Sequence, residues 1–374
     1  MKISKKDAII WLEFFASLPE EEQLSPRQQE LLLAALAQIE DAVEARNAEA
    51  EAAIAHLRIL EGRTLYVGNP DKFARGCKSC LLGTGLGAVR KTNRCNAKCP
   101  FCYDYGVLDK IPPIGEDTWE IGGTKFRERD LPLLFSVQNK PSGIAYVYLE
   151  PMLEIEKYYG VIRAFADAGV HQHLYTNGIC ANEENLRALG KAGLDEIRFN
   201  LGATNCSDRV IENIAIAKKY IPQVGIETPM TPQLFEQFTR KKDAILKTGF
   251  DFMNCAELHL NENNICNYEG ESLYMHRQGY ISPVWSRYLT LQLMKLCDDE
   301  GWDIAMHDCS NHTKFARGLN LKAKEGGWFG ASDYEAEFSS IPVWAFLPAL
   351  YDEKLPFVTE EPLPEGYRPG DIVI

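Results

Sequence analysis

From about residue 87 the chain alternates between two hydrophobic periods. Short runs rich in β-branched and aromatic residues, at 88–94, 143–150, 172–177, 196–201, 223–228, 252–260 and 303–308, read as strands. Between them lie stretches with helical spacing, at about 130–139, 155–168, 182–193, 207–221, 232–248 and 283–300. Gly193 closes one of these helices, and Leu194-Asp195 leads into the next strand. Strands alternating with helices imply right-handed parallel crossovers. Six or seven such units predict an α/β fold, a complete or open barrel with its chemistry at the carboxyl ends of the strands.

The two ends of the chain carry other patterns. Residues 5–18 read as a short amphipathic helix. A second helix opens at Ser25-Pro26, with Gln28 completing a capping box, and its apolar seam Leu32, Leu36, Ile39, Val43, Ala50, Leu57 carries it to about residue 60. That pattern predicts a hairpin packed on the body or used in self-association. The tail is rich in aromatic residues and proline and predicts an irregular cover. The expected organisation is therefore a helical region at 1–62, the barrel at 76–312 and an extension at 313–374.

One stretch concentrates the chemistry. In Arg94-Cys95-Asn96-Ala97-Lys98-Cys99-Pro100-Phe101-Cys102 three cysteines stand at C-x3-C-x2-C spacing. Zinc sites more often come as two separated pairs, so this trio points to a soft metal or an iron–sulfur cluster. A cubane held by three cysteines leaves one iron open to a small molecule. The stretch resembles the radical S-adenosylmethionine (SAM) signature, including Phe101 just before the third cysteine. The loop follows the first barrel strand, where such a fold places its site.

Further motifs narrow the likeness to relatives of pyruvate formate-lyase activating enzyme. They are Gly76-Cys77-Lys78-Ser79-Cys80, His173-Leu174-Tyr175-Thr176, Ala192-Gly193-Leu194-Asp195-Glu196-Ile197-Arg198-Phe199, Val224-Gly225-Ile226-Glu227 and the late Cys309-Ser310. The resemblance covers residues 76–312 and implies a partial (β/α)6–7 radical SAM barrel, to which the chain's own pattern adds an N-terminal helical hairpin and an irregular C-terminal extension. It implies a [4Fe-4S] cluster on Cys95, Cys99 and Cys102, with SAM bound to the open iron. It implies an electron donor such as flavodoxin or ferredoxin, and cleavage of SAM to a 5′-deoxyadenosyl radical that abstracts hydrogen from a substrate. The substrate itself is not implied: it could be a small molecule, a peptide, an RNA or, for an activase, a glycyl-radical partner protein.

Relatives bind the methionine amino group with a Gly-Gly-Glu-Pro turn, which matches Tyr148-Leu149-Glu150-Pro151 here. Glu150 is thus a candidate SAM contact, although both glycines are missing. Asn177 could present its amide to SAM or simply make a turn with Gly178. Arg198 could hold the SAM carboxylate or a substrate anion, or pair with Glu196. Asn200 is a further candidate, and Glu227 one for the ribose hydroxyls. In the sixth strand either Cys255, Glu257 and His259 face the lumen, or Asn254 does.

Cys77 and Cys80 form a C-x2-C pair upstream of the trio. With Cys309 and a fourth ligand from His307, His312 or Cys266 they could bind zinc or a second iron–sulfur cluster. Gly83-Thr84-Gly85 lacks the Walker lysine and serine and reads as a connection.

Composition bounds the setting. The net charge of −13 disfavours a broad nucleic-acid interface. Eleven cysteines without an N-terminal hydrophobic stretch predict a reduced, cytoplasmic protein, and no apolar run is long enough for a membrane span. The rival from another class is a zinc-stabilised interaction protein that uses the long helix as its binding surface.

Overall fold

A computed structural model describes residues 26–60, 64–82, 86–121, 124–130, 142–261, 263–268, 271–275, 281–311 and 313. The helix expected over 5–18, nearly all of that over 130–139, the 83–85 connection, His312 and the tail beyond 313 lie outside these residues.

In chain order the strands are β1 (Arg58–Leu60), β2 (Thr64–Gly68), β3 (Leu86–Arg90), β4 (Thr118–Ile121), β5 (Thr124–Arg127), β6 (Gly143–Tyr146) and β7 (His171–Thr176). They continue as β8 (Glu196–Phe199), β9 (Gln223–Pro229), β10 (Phe252–Ala256), β11 (Leu273–Met275), β12 (Ile281–Pro283) and β13 (Ala305–Cys309). The α-helices are α1 (Pro26–Ala52), α2 (Arg75–Leu82), α3 (Tyr159–Asp167), α4 (Glu183–Ala192), α5 (Asp208–Ala217), α6 (Pro232–Leu246) and α7 (Ser286–Asp299).

Eleven strands form one sheet in the order β1-β2-β13-β10-β9-β8-β7-β6-β3-β4-β5. Its middle, from β13 to β3, is parallel throughout. Antiparallel strands flank it, β2 and β1 beyond β13 and β4 and β5 beyond β3. The seven parallel strands are the seven expected from the sequence, and among the described residues the sheet is open, its outer strands not pairing with each other.

The helices follow from caps and apolar faces. Asn182 caps α4 by accepting from Asn185 N–H, and Gly193 ends it at φ 96°, a conformation in which a side chain would be strained. Thr231 caps α6, and Pro232 fills the position where a missing N–H costs nothing. Val210, Ile214 and Ala217 of α5 lie buried at helical spacing, as do Leu186, Leu189 and Ala192 of α4. Each such large aliphatic side chain contributes about 1.5–3 kcal/mol by leaving water.

Two local expectations change. The long helix stops at Ala52, and Arg58–Leu60 is a strand that turns back onto β2. The apolar seam carries on past the helix end because Ile54 still packs into the core. The Cys77–Cys80 pair lies on a helix, α2, which closes the amino end of the parallel strands. Gly76 N–H donates to the Glu196 carboxylate at 3.1 Å, and Arg75 N–H to the Gln223 side-chain oxygen at 3.3 Å. Among the described residues no helix is long and apolar enough to cross a membrane.

Candidate active site

The chain leaves β3 at Arg90 and runs over the carboxyl end of the parallel strands as the cysteine loop. Cys95, Cys99 and Cys102 are half-buried free thiols. Cys102 N–H donates to Cys99 O at 3.0 Å, and Tyr105 N–H to Cys102 O at 3.1 Å, so the last two cysteines share one tight turn.

Glu150 ties this loop to the next two strands. Its N–H donates to Arg94 O at 3.1 Å. Its buried carboxylate accepts from Met152 N–H at 3.1 Å, the Thr176 hydroxyl at 2.7 Å and Asn177 N–H at 2.6 Å. Asn177 in turn donates its amide to Asn96 Oδ1 at 2.7 Å, inside the cysteine loop. The turn before Glu150 is made without glycine, and Leu149 takes the left-handed conformation at φ 57°. A non-glycine residue there carries strain on the order of 1 kcal/mol or more.

Burial raises the Glu150 carboxyl to about 7 against the opposing pull of its hydrogen bonds. The sign follows directly. Below about 4.5 Glu150 is protonated in both folded and unfolded chains. Between there and about 7 only the unfolded chain ionises, so stability falls as pH rises. The stability of the metal-free chain relative to its Glu150→Gln variant should therefore drop by about 3 kcal/mol across that window. Urea titrations at several pH values read this difference, and a flat difference would contradict it.

Phe101 packs against the turn that follows β8. A β-carbon at Gly202 would meet the Thr228 hydroxyl at 2.6 Å and the Phe101 ring at 3.2 Å. Gly202→Ala should thus cost about 1–3 kcal/mol and displace Phe101, measured by denaturation and by the protection of loop amides. Asn200 caps this same turn, its Oδ1 accepting from Ala203 N–H at 3.2 Å.

Below the loop the lumen is polar. Arg198 is buried, bonded through Nε to Glu196 at 2.5 Å and through Nη1 to the Tyr175 hydroxyl at 2.8 Å, and paired with Glu227. Arg198 thus has two carboxylate partners within the chain. Glu227 also accepts from the Tyr175 hydroxyl at 3.3 Å. Asn254 faces the lumen, 3.9 Å from Cys77 Sγ, whereas Cys255 packs into the apolar core. Glu257 and His259 lie beyond β10, and His259 meets the Tyr103 ring edge-on.

Of the second cysteine group, Cys77 is buried 3.2 Å from His307 Nε2, while Cys80 is exposed and Cys309 half-buried. Cys266 is exposed, its thiol 3.7 Å from Asn263 O. Among the described residues the group with ligand atoms all within 4.8 Å of one another is His171, His173 and Glu196, which the motifs did not bring together. Its carboxylate is already held by Arg198, His171 and Gly76 N–H, and the Arg198 charge repels a cation. Among the described residues neither cysteine group closes to that distance.

The donor set of the loop fits an iron–sulfur cluster. Burial pushes all three thiols up, and Cys99, which also faces the charges of Cys102 and Cys95, reaches about 12. Three neighbouring thiolates would repel one another here, and an iron–sulfur core supplies the compensating positive charge.

No family model matches the chain. It is 30% identical over 213 residues to a protein of Methanocaldococcus jannaschii named as a glycyl-radical enzyme activating enzyme, across 52% of this chain and 53% of that one. An uncharacterised protein of the same archaeon is 26% identical over 169 residues, 40% of this chain and 52% of that one. The chain thus spans about half the length of the curated relatives it matches. Among solved structures, Streptococcus suis SuiB bound to S-adenosylmethionine aligns with a TM-score of 0.43 at 14% identity, over 61% of this chain and 51% of that one. SuiB bound to its precursor peptide SuiA aligns at 0.44 and 13%, over 69% and 57%.

Proposed function

We propose that the chain is a radical SAM enzyme in which Cys95, Cys99 and Cys102 hold a [4Fe-4S] cluster. The observation that carries this is the placement of the cysteine loop at the carboxyl end of the parallel strands, laced to Glu150 and Asn177. Bound together, cluster and SAM supply a 5′-deoxyadenosyl radical, fed with electrons by a flavodoxin or ferredoxin. The protein's part is to bind, orient and exclude water. Asn177 and Asn96 flank the loop where a SAM amino acid moiety would lie, and Phe101 packs beside it. Glu150 supports this reading as a brace, because its carboxylate is committed to Met152, Thr176 and Asn177. Arg198 and Glu227 form the charged wall below. A second metal on Cys77, Cys80 and Cys309 belongs to the same reading, with His307 as its nitrogen ligand. So do a cytoplasmic setting and the organisation into a barrel flanked by terminal regions.

Anaerobic reconstitution followed by dithionite and SAM should yield 5′-deoxyadenosine. The triple variant Cys95→Ala, Cys99→Ala, Cys102→Ala should bind no cluster and yield none. Product formation by that variant would reject the assignment.

The name of the 30% identical relative favours one refinement, that the substrate is a glycyl-radical protein. An activase of that kind should generate a glycine-centred radical on its partner, visible by electron paramagnetic resonance. A radical signal that never leaves the small-molecule fraction would turn the reading to another substrate.

A further inference from the structure

The wall opposite the cysteine loop comes from one short segment, Asn261 and residues 263–268, in which the sequence motifs single out only Cys266. It carries four asparagines with a shared task. Asn261 and Asn263 donate their side-chain amides to Tyr103 O, at 3.1 and 2.8 Å. Asn264 donates to Phe101 O at 3.3 Å, and Asn267 to Pro100 O at 2.8 Å. The carbonyls on either side of Cys102 are therefore all held from one direction.

The segment is braced for this. Asn261 Oδ1 accepts from Asn263 N–H at 3.1 Å and Asn264 N–H at 3.2 Å, and Asn264 Oδ1 accepts from Asn261 N–H at 2.9 Å. Asn264 also donates to His259 O at 3.3 Å, which fixes it to the chain leaving β10. With the carbonyl oxygens turned to this wall, N–H groups of the loop are left for the sulfurs. The backbone of Ala97 and Asn96 pulls the Cys95 thiol down against burial, and that of Asp104 does the same for Cys102. Asparagine suits the task, since it donates strongly to a carbonyl without placing a charge near the sulfurs.

Tyr268 ends the segment. Its side chain is buried, and its hydroxyl has no hydrogen-bond partner among the described residues. A buried hydroxyl without a partner costs free energy unless a group not yet counted accepts from it. Burial raises its pKa, and the charges of Glu271 and then Cys99 add to the shift; its chain neighbour Asn267 holds the carbonyl of Pro100, the residue after Cys99.

We propose that Asn261 and residues 263–268 are a positioning shell for the cluster loop, in which Asn261, Asn263, Asn264 and Asn267 hold the loop carbonyls outward and the Tyr268 hydroxyl donates to the Cys99 sulfur. This rests on Cys95, Cys99 and Cys102 being cluster ligands. Hydrogen bonds to cluster sulfurs raise the reduction potential, so the shell sets both the shape of the loop and the ease with which the cluster takes an electron.

Two measurements test it. In the metal-free chain, hydrogen exchange at the Cys102 and Tyr105 amides should be about tenfold faster in the double variant Asn263→Ala, Asn267→Ala, with the exchange of β7–β9 unchanged. Equal rates would overturn the asparagine role whether or not the chain binds iron. In the reconstituted chain, Tyr268→Phe should shift the midpoint potential to more negative values and alter the resonance spectrum of the reduced cluster, with iron content unchanged. An unmoved potential would overturn the role of the hydroxyl. A wild-type chain that takes up no iron would instead sink the cluster assignment, and the exchange result would still decide whether the asparagines organise the loop.

Discussion

Replacing Arg287 by alanine should lower the stability of the chain by about 3–5 kcal/mol, the range for removing one partner of a buried ion pair. Arg287 is buried in α7. Its guanidinium reaches Asp308 of β13 at 3.1 Å, Glu51 of α1 at 2.7 Å and Glu44 of α1 at 3.5 Å. Asp308 is only 1% exposed, so without Arg287 its charge has neither water nor a counterion. The same change takes the guanidinium from Glu44 and Glu51 and removes an anchor between α1 and the sheet. Urea unfolding of Arg287→Ala reads the loss. The double variant Arg287→Ala, Asp308→Asn should recover a good part of it, because the stranded charge is gone. A single variant within 1 kcal/mol of wild type would show that water reaches Asp308 and that the guanidinium is not its counterion.

Acid should strip about 4–5 kcal/mol from the chain through His307 alone. This imidazole is buried in the lumen, stacked on Phe73 with ring centroids 4.6 Å apart and set against Cys77. Burial pulls it down from 6.5 to about 3, and the positive charge of Arg198 adds to the shift. A neutral buried histidine is favourable wherever the unfolded chain is neutral too. As pH falls below 6.5 the unfolded chain gains a proton that the folded chain refuses, and stability declines until about pH 3. His173, lowered for the same reasons, acts in the same direction. His307→Leu should be less stable at neutral pH through lost contacts, yet its stability should decline less steeply between pH 6.5 and 3. Parallel stability curves for wild type and variant would show that His307 is protonated in the folded chain.

The parallel body was legible because each of its strands is short and fenced by turn residues, and because Gly193 marks where one of its helices ends. The cysteine loop was legible from spacing alone. What could not be read depends on contacts between distant parts of the chain. Nothing in the run from Ala50 to Leu60 says that the helix ends at Ala52, since Ile54 continues its apolar stripe. Leu149 gives no sign of a left-handed backbone, a conformation that glycine would have advertised. The partners of Arg198 need the register of β8 against β9, which puts Gly225 opposite it and Glu227 within reach. The asparagines at 261–267 look like ordinary turn formers until the fold sets them against Pro100, Phe101 and Tyr103, about 160 residues earlier in the chain.

The outermost strands of the sheet bear on how the molecule behaves in a crowded solution. A parallel sheet that simply stopped would offer a row of unused peptide groups to any stray chain. Here β1 is three residues long and opens with Arg58, while β5 carries Lys125 and Arg127. A short rim studded with cations is a poor template for fibril growth, so this chain should resist edge-to-edge polymerisation despite its long run of apolar interior strands.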